Sequence, residues 1–526
     1  MLKEVRIARR ILGKQNILDK ALSWFAPVHA AKRLRNRIAM ELLGGYDGAS
    51  RSRRSLKEWN PLGNDADSDI LPDLETLRER SRDLVRNNPI ACGAIKTKVT
   101  NVIGTGFVFK SMLDRDVLNL SDDQAELLEA QIEREWRLFW NSKDLDISRT
   151  CNGPDIARMV YQQAKENGDV FVFLPRKARV GSAYDLRLQV VEADRVCNPN
   201  HASDTDTLAG GIERNPETGE PIRYHIMKRH PGGARTVGDE WEARQAFGPK
   251  TGLRQVIHLY SQTRPGQSRG VPDLAPVIEP LKQLGRYTEA EIMAAVVSGL
   301  FTVFIETESG ESGFDYSNLQ DEVGRSTSDK DLKLGNGLIM ELAKGEKIHD
   351  SNPGRPNTAF DPFMMSIFRQ IGTGLEIPVE ILIKHFTASY SAARAALLSF
   401  WQYIQSERRF FVDNFLRIVQ EAWMWEAVSS GRIPAQGFFS DPAIRAAWLG
   451  AKWIGPSKGQ INEQAEVKAA RERLEAGLST LAAETAELTG GDWEQNHIQQ
   501  VKEHRRRLAD GLVTVTQDGE EVEIDE

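Results

Sequence analysis

The feature that most constrains this chain is a run of forty residues, Ser391 to Ser430, that contains neither proline nor glycine. Within the run, apolar residues recur every seven positions, and a second apolar row, offset by four, contains Trp401, Phe415 and Ala422. The first row consists of Leu397, Ile404, Phe411, Ile418 and Trp425. This pattern predicts one helix over 391–431, about 60 Å long, whereas the mean helix has about 11–12 residues. Because such a helix exceeds a single compact domain, we expect it to cross domains or to pack against other subunits.

Length and charge bound the class of protein. The chain has 526 residues and a mass of 59.0 kDa, which suffices for about two to four domains. Its net charge of −7 argues against a protein that grips nucleic acid over its whole surface. The charge is uneven: residues 1–57 carry a net charge of +10, whereas 517–526 hold six acids and no base. Ends of opposite sign are typical of solvated tails with interaction roles.

Cysteine usage and hydropathy predict a soluble chain made in a reducing cytosol. The three cysteines, Cys92, Cys151 and Cys197, form no CxxC motif and no disulfide framework. The basic start lacks the apolar core of a secretory signal. The longest apolar run, 292–305, has fourteen residues, which is too short to span a bilayer. We therefore expect no membrane partner.

Two periodicities organise the rest of the chain. Apolar spacing of three to four predicts helices before the long one, and charged helical sequence resumes after 441. From Gly168 the period changes to two, which predicts a β-rich region of roughly a hundred residues with a hairpin at Asn215–Gly219. The helices are predicted at 72–101 with a break at Pro89, 122–141, 153–167, 273–299 and 359–375. The fold class is therefore α+β, multidomain and mostly helical.

A search for catalytic motifs leaves one weak candidate. There is no GxxxxGK[ST] motif, so a P-loop NTPase is excluded, and the three Gly-x-Gly pairs lack the context of a dinucleotide site. Residues 455–459, GPSKG, match GxSxG and place Ser457 at the nucleophile position. A serine hydrolase is thus the alternative function. Because Ser457 follows Pro456, a turn or helix N-cap role is favoured.

The histidines and a basic run give no support to a metal or cofactor site. His225 and His258 fit partly buried positions in strands, and His497 and His504 fit one exposed helix face. Residues 505–507, three arginines, are typical of a solvated face, with phosphate or partner contact as the lesser alternative. We predict no cofactor, no metal and no catalytic residues.

Several blocks of sequence, in the same order, resemble the lambda-type portal family of tailed double-stranded DNA phages. Residues 80–107 read RSRDLVRNNPIACGAIKTKVTNVIGTGF and resemble the family's opening block. The later blocks are VVEADRV, GGIERNPETGEPIRYHI, RPGQSRGVPDLAPVI, NTAFDPF, GLEIPVEIL and YSAARAALLSFW. The similarity covers about 75–480, and several blocks in register are more specific than any one of them.

The resemblance implies the multidomain portal fold, with a β-rich wing, a two-helix stem, a small α/β clip and a helical crown. Carried over by position, it assigns a basic flexible N-terminal arm to 1–70, the wing to 71–272, the first stem helix to 273–299, the clip to 300–356, the second stem helix to 357–375, a tunnel loop to 376–390, the long wing or spine helix to 391–431, the crown to 432–510 and an acidic tail to 511–526.

The function implied is that of a non-enzymatic ring, usually of about twelve copies, at one capsid vertex of the virion. It would conduct double-stranded DNA during packaging and ejection, and would be assembled in the host cytoplasm. The implied partners are other copies of the chain, genome DNA, the terminase large subunit, the major capsid or scaffold protein and the head–tail adaptor.

The resemblance also assigns site residues. The tunnel loop would present Lys384, His385 and Thr387 to the passing duplex; alternatively, Ile381 and Ile383 hold the loop down and Lys384 only extends its charge to solvent. The oligomer contacts would come from the spine helix, through Leu397, Trp401, Ile404, Phe411, Phe415, Ile418 and Trp425.

Overall fold

The computed structural model describes most of the chain in two compact units, 1–65 and 66–526. The described residues are 24, 28, 32, 46–50, 53–233, 240–306, 338–342, 360–386, 389–459, 462–510, 513–515 and 521–523. In the first unit they include a short 3-10 turn, Asp47–Ala49. Most of the predicted basic arm lies outside the described residues, and the second unit begins within it, at Ala66.

Fourteen α-helices lie among the described residues of the second unit. In chain order they are α1 (Ala66–Asn87), α2 (Pro89–Val102), α3 (Arg115–Leu118), α4 (Asp122–Trp140), α5 (Gly153–Asn167), α6 (Ile278–Leu300), α7 (Phe360–Gly374), α8 (Val379–Leu382), α9 (Tyr390–Phe411), α10 (Arg417–Ser429), α11 (Pro442–Trp448), α12 (Glu463–Glu475), α13 (Leu481–Thr489) and α14 (Trp493–Ala509).

Thirteen strands form small sheets in the same part of the chain. They are β1 (Val108–Ser111), β2 (Asp169–Phe173), β3 (Gln189–Val191), β4 (Leu208–Ala209), β5 (Ile212–Arg214), β6 (Pro221–Met227), β7 (Trp241–Gln245), β8 (Val256–Tyr260), β9 (Phe301–Glu306), β10 (Leu338–Leu342), β11 (Ala451–Ile454), β12 (Val513–Val515) and β13 (Glu521–Glu523).

Capping residues in the sequence set several of the helix starts. The break between α1 and α2 falls at Asn88, whose Oδ1 accepts hydrogen bonds from the backbone N–H groups of Ile90 (3.0 Å) and Ala91 (3.1 Å). Pro89 takes the first helical position, where a missing N–H has no consequence. Ser121 and Gln124 form a reciprocal capping box at the start of α4. The predicted helices at 122–141 and 153–167 are confirmed as α4 and α5.

The predicted change to strands after Gly168 is also confirmed. An antiparallel sheet of order β3-β2-β8 stands beside a second antiparallel sheet of order β4-β5-β6-β7. The predicted hairpin joins β5 to β6, and Gly219 has a φ of +75°, a value that favours glycine. Strand β2 is buried along its whole length, at the centre of its sheet. It therefore connects the sheets to the helical core.

The largest core is rich in tryptophan and draws on distant parts of the chain. Trp136 of α4 lies 5.1 Å from Trp423 of α10 and 5.5 Å from Trp453 of β11, measured between ring centroids. Strand β11 also pairs with β1, where Val108 faces Ile454. Residues up to 454, which were assigned to the crown, thus pack with the region assigned to the wing. The assignment of the crown to the helices from 463 onward remains a prediction.

The segments at the predicted stem and clip are partly described. The predicted first stem helix corresponds to a 3-10 turn, Ala275–Val277, followed by α6, and the second to α7. Of the predicted clip the structure describes β9 and β10, which pair in parallel. Its other residues lie outside the described ones. At the chain end, β12 and β13 form an antiparallel pair within the predicted acidic tail.

Candidate functional site

The long run opened by Ser391 forms one uninterrupted helical segment. Ser389 is the N-cap residue, α9 begins at Tyr390, a π-helical turn occupies Val412–Leu416, and α10 continues to Ser429. We call the segment 390–429 the spine helix. The spine helix lies within the unit 66–526 and contributes to the larger of its two core clusters. The expectation that it crosses domains or packs against other subunits stays a prediction.

The seven predicted assembly residues of the spine helix fall into two groups. Ile404, Phe411 and Phe415 are fully buried in the core of the same chain. The others are half-buried and pack against that core or beside it; they are Leu397, Trp401, Ile418 and Trp425. Part of the heptad pattern therefore reflects packing inside one copy. Their predicted role between copies stays a prediction.

Exposure along the spine helix changes from one end to the other. Its first turns are mostly solvent-exposed: Leu398 is 51% exposed, and Arg394 is exposed as well. From Phe400 onward most apolar positions are buried. The N-terminal end thus presents a free surface beside the predicted tunnel loop.

The predicted tunnel loop is anchored by apolar residues and exposes polar ones. Leu375, Ile377 and Leu382 are buried, and Ile381 and Ile383 pack half-buried against the core. The prediction of a continuous loop was wrong at Val379–Leu382, which forms a helical turn. The fixed φ of Pro378, directly before it, favours a helix start at this place.

Two of the three predicted DNA-facing residues share the exposed tip after that turn. Lys384 has a φ of +55°, and Lys384 and His385 are both exposed. The His385 N–H donates to the Glu380 carbonyl at 3.0 Å, which closes the turn. Phe386 is 59% exposed beside them. Thr387 lies outside the described residues. The structure therefore combines two features: Ile381 and Ile383 anchor the segment, and Lys384 and His385 are exposed.

The two predicted stem helices contact each other through aromatic rings. The Tyr287 ring of α6 lies 5.7 Å from Phe360 and 4.9 Å from Phe363 of α7, measured between centroids. Apolar side chains farther along α6 are exposed in the single copy, including Met293, which is 61% exposed. This surface is available to another molecule.

A buried ionic network that sequence reasoning missed lies where α6 begins. The Asp273 carboxylate lies 2.8 Å from Lys98 Nζ and 3.6 Å from Lys165 Nζ. Lys165 also forms an ion pair with Glu407 of the spine helix, at 2.7 Å. Burial alone raises the pKa of Asp273, but the charges of Lys165 and Lys98 outweigh it, so the pKa is lowered. The network ties α2 and α5 to the spine helix and to the base of α6.

A second buried network, also missed, centres on Asp169 of β2, whose side chain is fully buried. Its carboxylate accepts hydrogen bonds from Arg78 Nη2 at 2.7 Å and Arg269 Nε at 2.6 Å, and it lies 3.1 Å from His258 Nε2. Arg269 also donates to three backbone carbonyls. Despite burial, which opposes it, the two guanidinium groups hold the pKa of Asp169 well below its usual range. A single carboxylate thus joins α1, two strands and the segment before α6.

The structure gives the hydrolase alternative no support. Ser457 lies in a coil after β11, and the next described helix, α12, begins only at Glu463. Among the described residues no hydrogen bond joins Ser457 to a histidine. The nucleophile elbow requires a strand, a sharp turn and a helix directly after the serine. This arrangement is not the one found here.

The other candidates take the simpler roles predicted for them. His258 is buried in β8 and His225 is half-buried in β6, whereas His497 stacks on Trp493 at 5.3 Å in α14. Among the described residues no disulfide involves the cysteines at 92, 151 and 197. Among the described residues no group of three His, Cys, Asp or Glu side chains is placed to hold a metal ion. In that same part of the chain, every helix is too short or too polar to cross a bilayer.

Comparison with known proteins gives a family match over most of the chain. The family model for phage portal proteins of the lambda family matches residues 52–408. This range contains α1 to α8, the two larger sheets and most of α9. It therefore includes both predicted stem helices, the predicted tunnel loop and the first half of the spine helix.

Individual relatives match over nearly their whole length. The chain is 26% identical over 491 residues to portal protein B of Escherichia phage lambda, a match that covers 90% of this chain and 91% of that protein. It is 26% identical over 494 residues to the portal protein of Escherichia phage N15, covering 90% and 92%. The probable portal protein of Halomonas phage phiHAP-1 is 23% identical over 422 residues, covering 78% of each chain.

Solved structures with some likeness come from gene transfer agent particles. A chain from the virion of a native particle has a TM-score of 0.42 and 14% identity, with 85% of this chain and 95% of that one covered. A chain from the neck of a native particle, computed with C12 symmetry, has a TM-score of 0.41 and 13% identity, covering 79% and 93%.

Proposed function

The chain belongs to the lambda family of phage portal proteins, and we propose that copies of it form a closed ring at one vertex of a phage capsid. The ring, of roughly twelve copies, is the passage through which double-stranded DNA enters during packaging and leaves during ejection. The observation that carries this proposal is the family match over 52–408. The ring is assembled in the host cytoplasm and becomes part of the virion.

The charge of the chain suits a passage through which DNA slides. Each Lys or Arg that neutralises a phosphate adds affinity, so a lining rich in bases would hold the duplex. A ring of roughly twelve copies, each with a net charge of −7, carries about −84 in total. Most of such a ring repels DNA, and a narrow band of cations centres it. Lys384, exposed on an anchored turn, supplies that band, with the polar side chains of His385 and Thr387 next to it in sequence.

Contacts between copies come from surfaces that are exposed in one copy. The apolar face of α6 around Met293 and the first turns of the spine helix around Leu398 are such surfaces. Covering apolar area of this kind is favourable at about 25 cal/mol per Å². The half-buried spine residues, such as Leu397 and Trp401, extend the second surface.

The remaining partners follow from the same role. The segment 300–356 docks the terminase large subunit during packaging and the head–tail adaptor afterwards. The basic segment 1–57, with a net charge of +10, contacts DNA or acidic groups of the major capsid or scaffold protein. ATP hydrolysis falls to the motor, since this chain has no P-loop motif. The role itself requires no catalytic residue.

The test is the mass and shape of the purified full-length protein in solution. Mass photometry with negative-stain images is expected to show a species of roughly twelve times 59.0 kDa with a central hole. Where assembly needs a scaffold partner, co-expression with the scaffold protein supplies it. A protein that stays monomeric or dimeric under both conditions contradicts the proposal.

A further inference from the structure

A cleft of about 900 Å³ lies between the spine helix and the helices after 463. One wall is the spine helix around Trp401 and Arg408, the second is β11 with residues 455 and 456, and the third is α13. The cleft contains no predicted site residue other than Trp401. Apart from Trp401, its lining has no part in the portal role described above.

Arg408 is buried in this cleft, and none of the described residues provides it with a counter-ion. Its residue is 7% exposed, and in the described part of the chain its side chain makes one hydrogen bond, from Nη2 to the Asn101 carbonyl at 2.5 Å. Nε has no partner, and the guanidinium carbon lies 4.5 Å from the centre of the Trp401 ring. Burial lowers the pKa of Arg408 to about 10. Buried cations are normally paired, so this charge calls for an acceptor from outside the copy.

Two of the three other buried arginines have the carboxylate that Arg408 lacks, whereas the third, Arg187, donates to the Leu186 carbonyl and to Ser182. Arg78 and Arg269 are as deeply buried, and both donate to the carboxylate of Asp169, at 2.7 Å and 2.6 Å. No carboxylate stands at an equivalent place beside Arg408 among the described residues. The cleft is the open side from which one can approach.

The rest of the cleft lining has a surplus of donors. Arg409, Arg417 and Lys452 line it, and Trp453 Nε1 is buried with no hydrogen-bond partner in the part of the chain that the structure describes. Its two acids already have partners. Asp413 lies 3.6 Å from Arg409 and 3.3 Å from Arg417, and Glu487 lies 2.8 Å from Lys458. The ligand that fits is therefore an anionic group on a larger molecule that also contacts the apolar walls of the cleft.

We propose that the cleft of one copy receives the acidic C-terminal segment, 517–526, of an adjacent copy, with one of its carboxylates paired to Arg408. This rests on the proposed ring. The segment holds six carboxylates and no base, which complements the unpaired donors. Bidentate pairing of a guanidinium with a carboxylate adds both strength and direction.

Position and volume are consistent with this occupant. Three residues separate Ala509, the end of α14, from β12, and the partner strand of β12, Glu521–Glu523, belongs to the acidic segment. α14 in turn packs on α13, which forms one wall of the cleft. The cleft has the volume of a cube about 10 Å on an edge. A B-form duplex is wider than this, because its major groove alone measures about 12 Å across. A single peptide strand enters such a space and a duplex does not.

The experiment uses a fluorescein-labelled peptide with the sequence of residues 517–526. Its binding to the full-length protein is followed by anisotropy, with the six acids of the protein's own tail changed to amides so that the cleft is free. We expect saturable binding that weakens with salt, and a loss of about tenfold or more in affinity for Arg408→Gln. An amide version of the peptide is expected not to bind.

Two further variants separate this site from a general effect of charge. Arg471→Gln removes an exposed arginine of α12 outside the cleft and is expected to leave binding unchanged. Gly455→Ala keeps every charge but places a methyl group about 3.1 Å from the Arg408 guanidinium carbon, and is expected to weaken binding. Circular dichroism of each variant checks that it folds.

Several outcomes overturn the proposal. Equal binding to the Arg408→Gln variant, or no binding of the peptide while rings form normally, refutes the docking of the tail and leaves the portal role untouched. Binding of a short DNA duplex, lost in Arg408→Gln, together with failure of the peptide, assigns the cleft to phosphate instead. Absence of rings bears on the proposed function alone, because peptide binding is measured in either state.

Discussion

His258 makes the stability of the sheet β3-β2-β8 depend on pH. The ring is 5% exposed and stacks between Phe171 and Tyr260, with centroid distances of 4.3 Å and 4.2 Å. Burial is the main cause that lowers the pKa of His258 from 6.5 to about 4. Asp169, at 3.1 Å, opposes this, while Arg269 adds to it.

The sign and size of the effect follow from proton linkage. In the unfolded chain the histidine takes up a proton below about pH 6.5, but in the folded chain only below about pH 4. Between these values the unfolded state binds more protons, so the free energy of unfolding falls as the pH falls. The loss is complete below about pH 4 and absent above about pH 7. At pH 5 it amounts to about 2 kcal/mol relative to pH 8.

Urea unfolding at pH 8 and pH 5 measures this loss. The free energy of unfolding of the wild type is expected to drop between the two conditions by about 2 kcal/mol more than that of His258→Gln. Gln245→Ala changes an exposed, non-titrating side chain of β7 and serves as the control; it is expected to keep the pH dependence of the wild type. If His258→Gln keeps the full pH dependence of the wild type, the buried histidine is charged in the folded state and the reasoning fails.

Three other predictions concern the buried network, a helix cap and the predicted tunnel loop. Asp169→Ala leaves Arg78 and Arg269 buried without their shared carboxylate and is expected to lower the free energy of unfolding by about 3–5 kcal/mol in urea titrations; a loss under about 1 kcal/mol contradicts this. Asn88→Ala removes the cap of α2 and is expected to cost about 1 kcal/mol, with Asn88→Asp recovering most of it. Lys384→Glu is expected to leave the thermal midpoint and ring mass unchanged, because the side chain is exposed, but to reduce DNA packaging in a capsid-filling assay. Unchanged packaging would refute a channel position for Lys384.

The helices were predictable because their signals are local. Asn88 followed by proline marks the start of α2, and Ser121 with Gln124 marks that of α4, so each boundary follows from neighbouring residues. The absence of proline and glycine from 391 to 430 predicted the spine helix in the same way. The π-helical turn at Val412–Leu416, a rare feature within helices, has no such local signal.

The buried networks were not predictable because their members are far apart in sequence. Asp169 meets Arg78 and Arg269 across ninety-one and one hundred positions. From its sequence context alone, each of these charged residues is predicted to be solvent-exposed. The one available signal was Lys98, a charged residue on the otherwise apolar side of α2 that includes Ile95 and Val102. Such a residue is expected to have a buried partner.

The predicted site was only partly accessible from sequence for a related reason. The apolar residues around Pro378 indicated a loop held against the core. Lys384 and His385 are exposed, as a position facing the channel requires. The heptad pattern of the spine helix did not distinguish contacts within a copy from contacts between copies, because burial imposes the same spacing in both. Phe411 and Phe415 belong to the first kind.

The most direct test of the account is a cryo-electron microscopy map of the full-length assembly, formed alone or with its scaffold partner. We predict a closed ring of about twelve copies, with an axial opening wide enough for a B-form duplex and with residues 384 and 385 of every copy at the narrowest level. A ring whose axis is closed by packed helices, or one in which the loop 376–386 lies on the outer surface, contradicts the account.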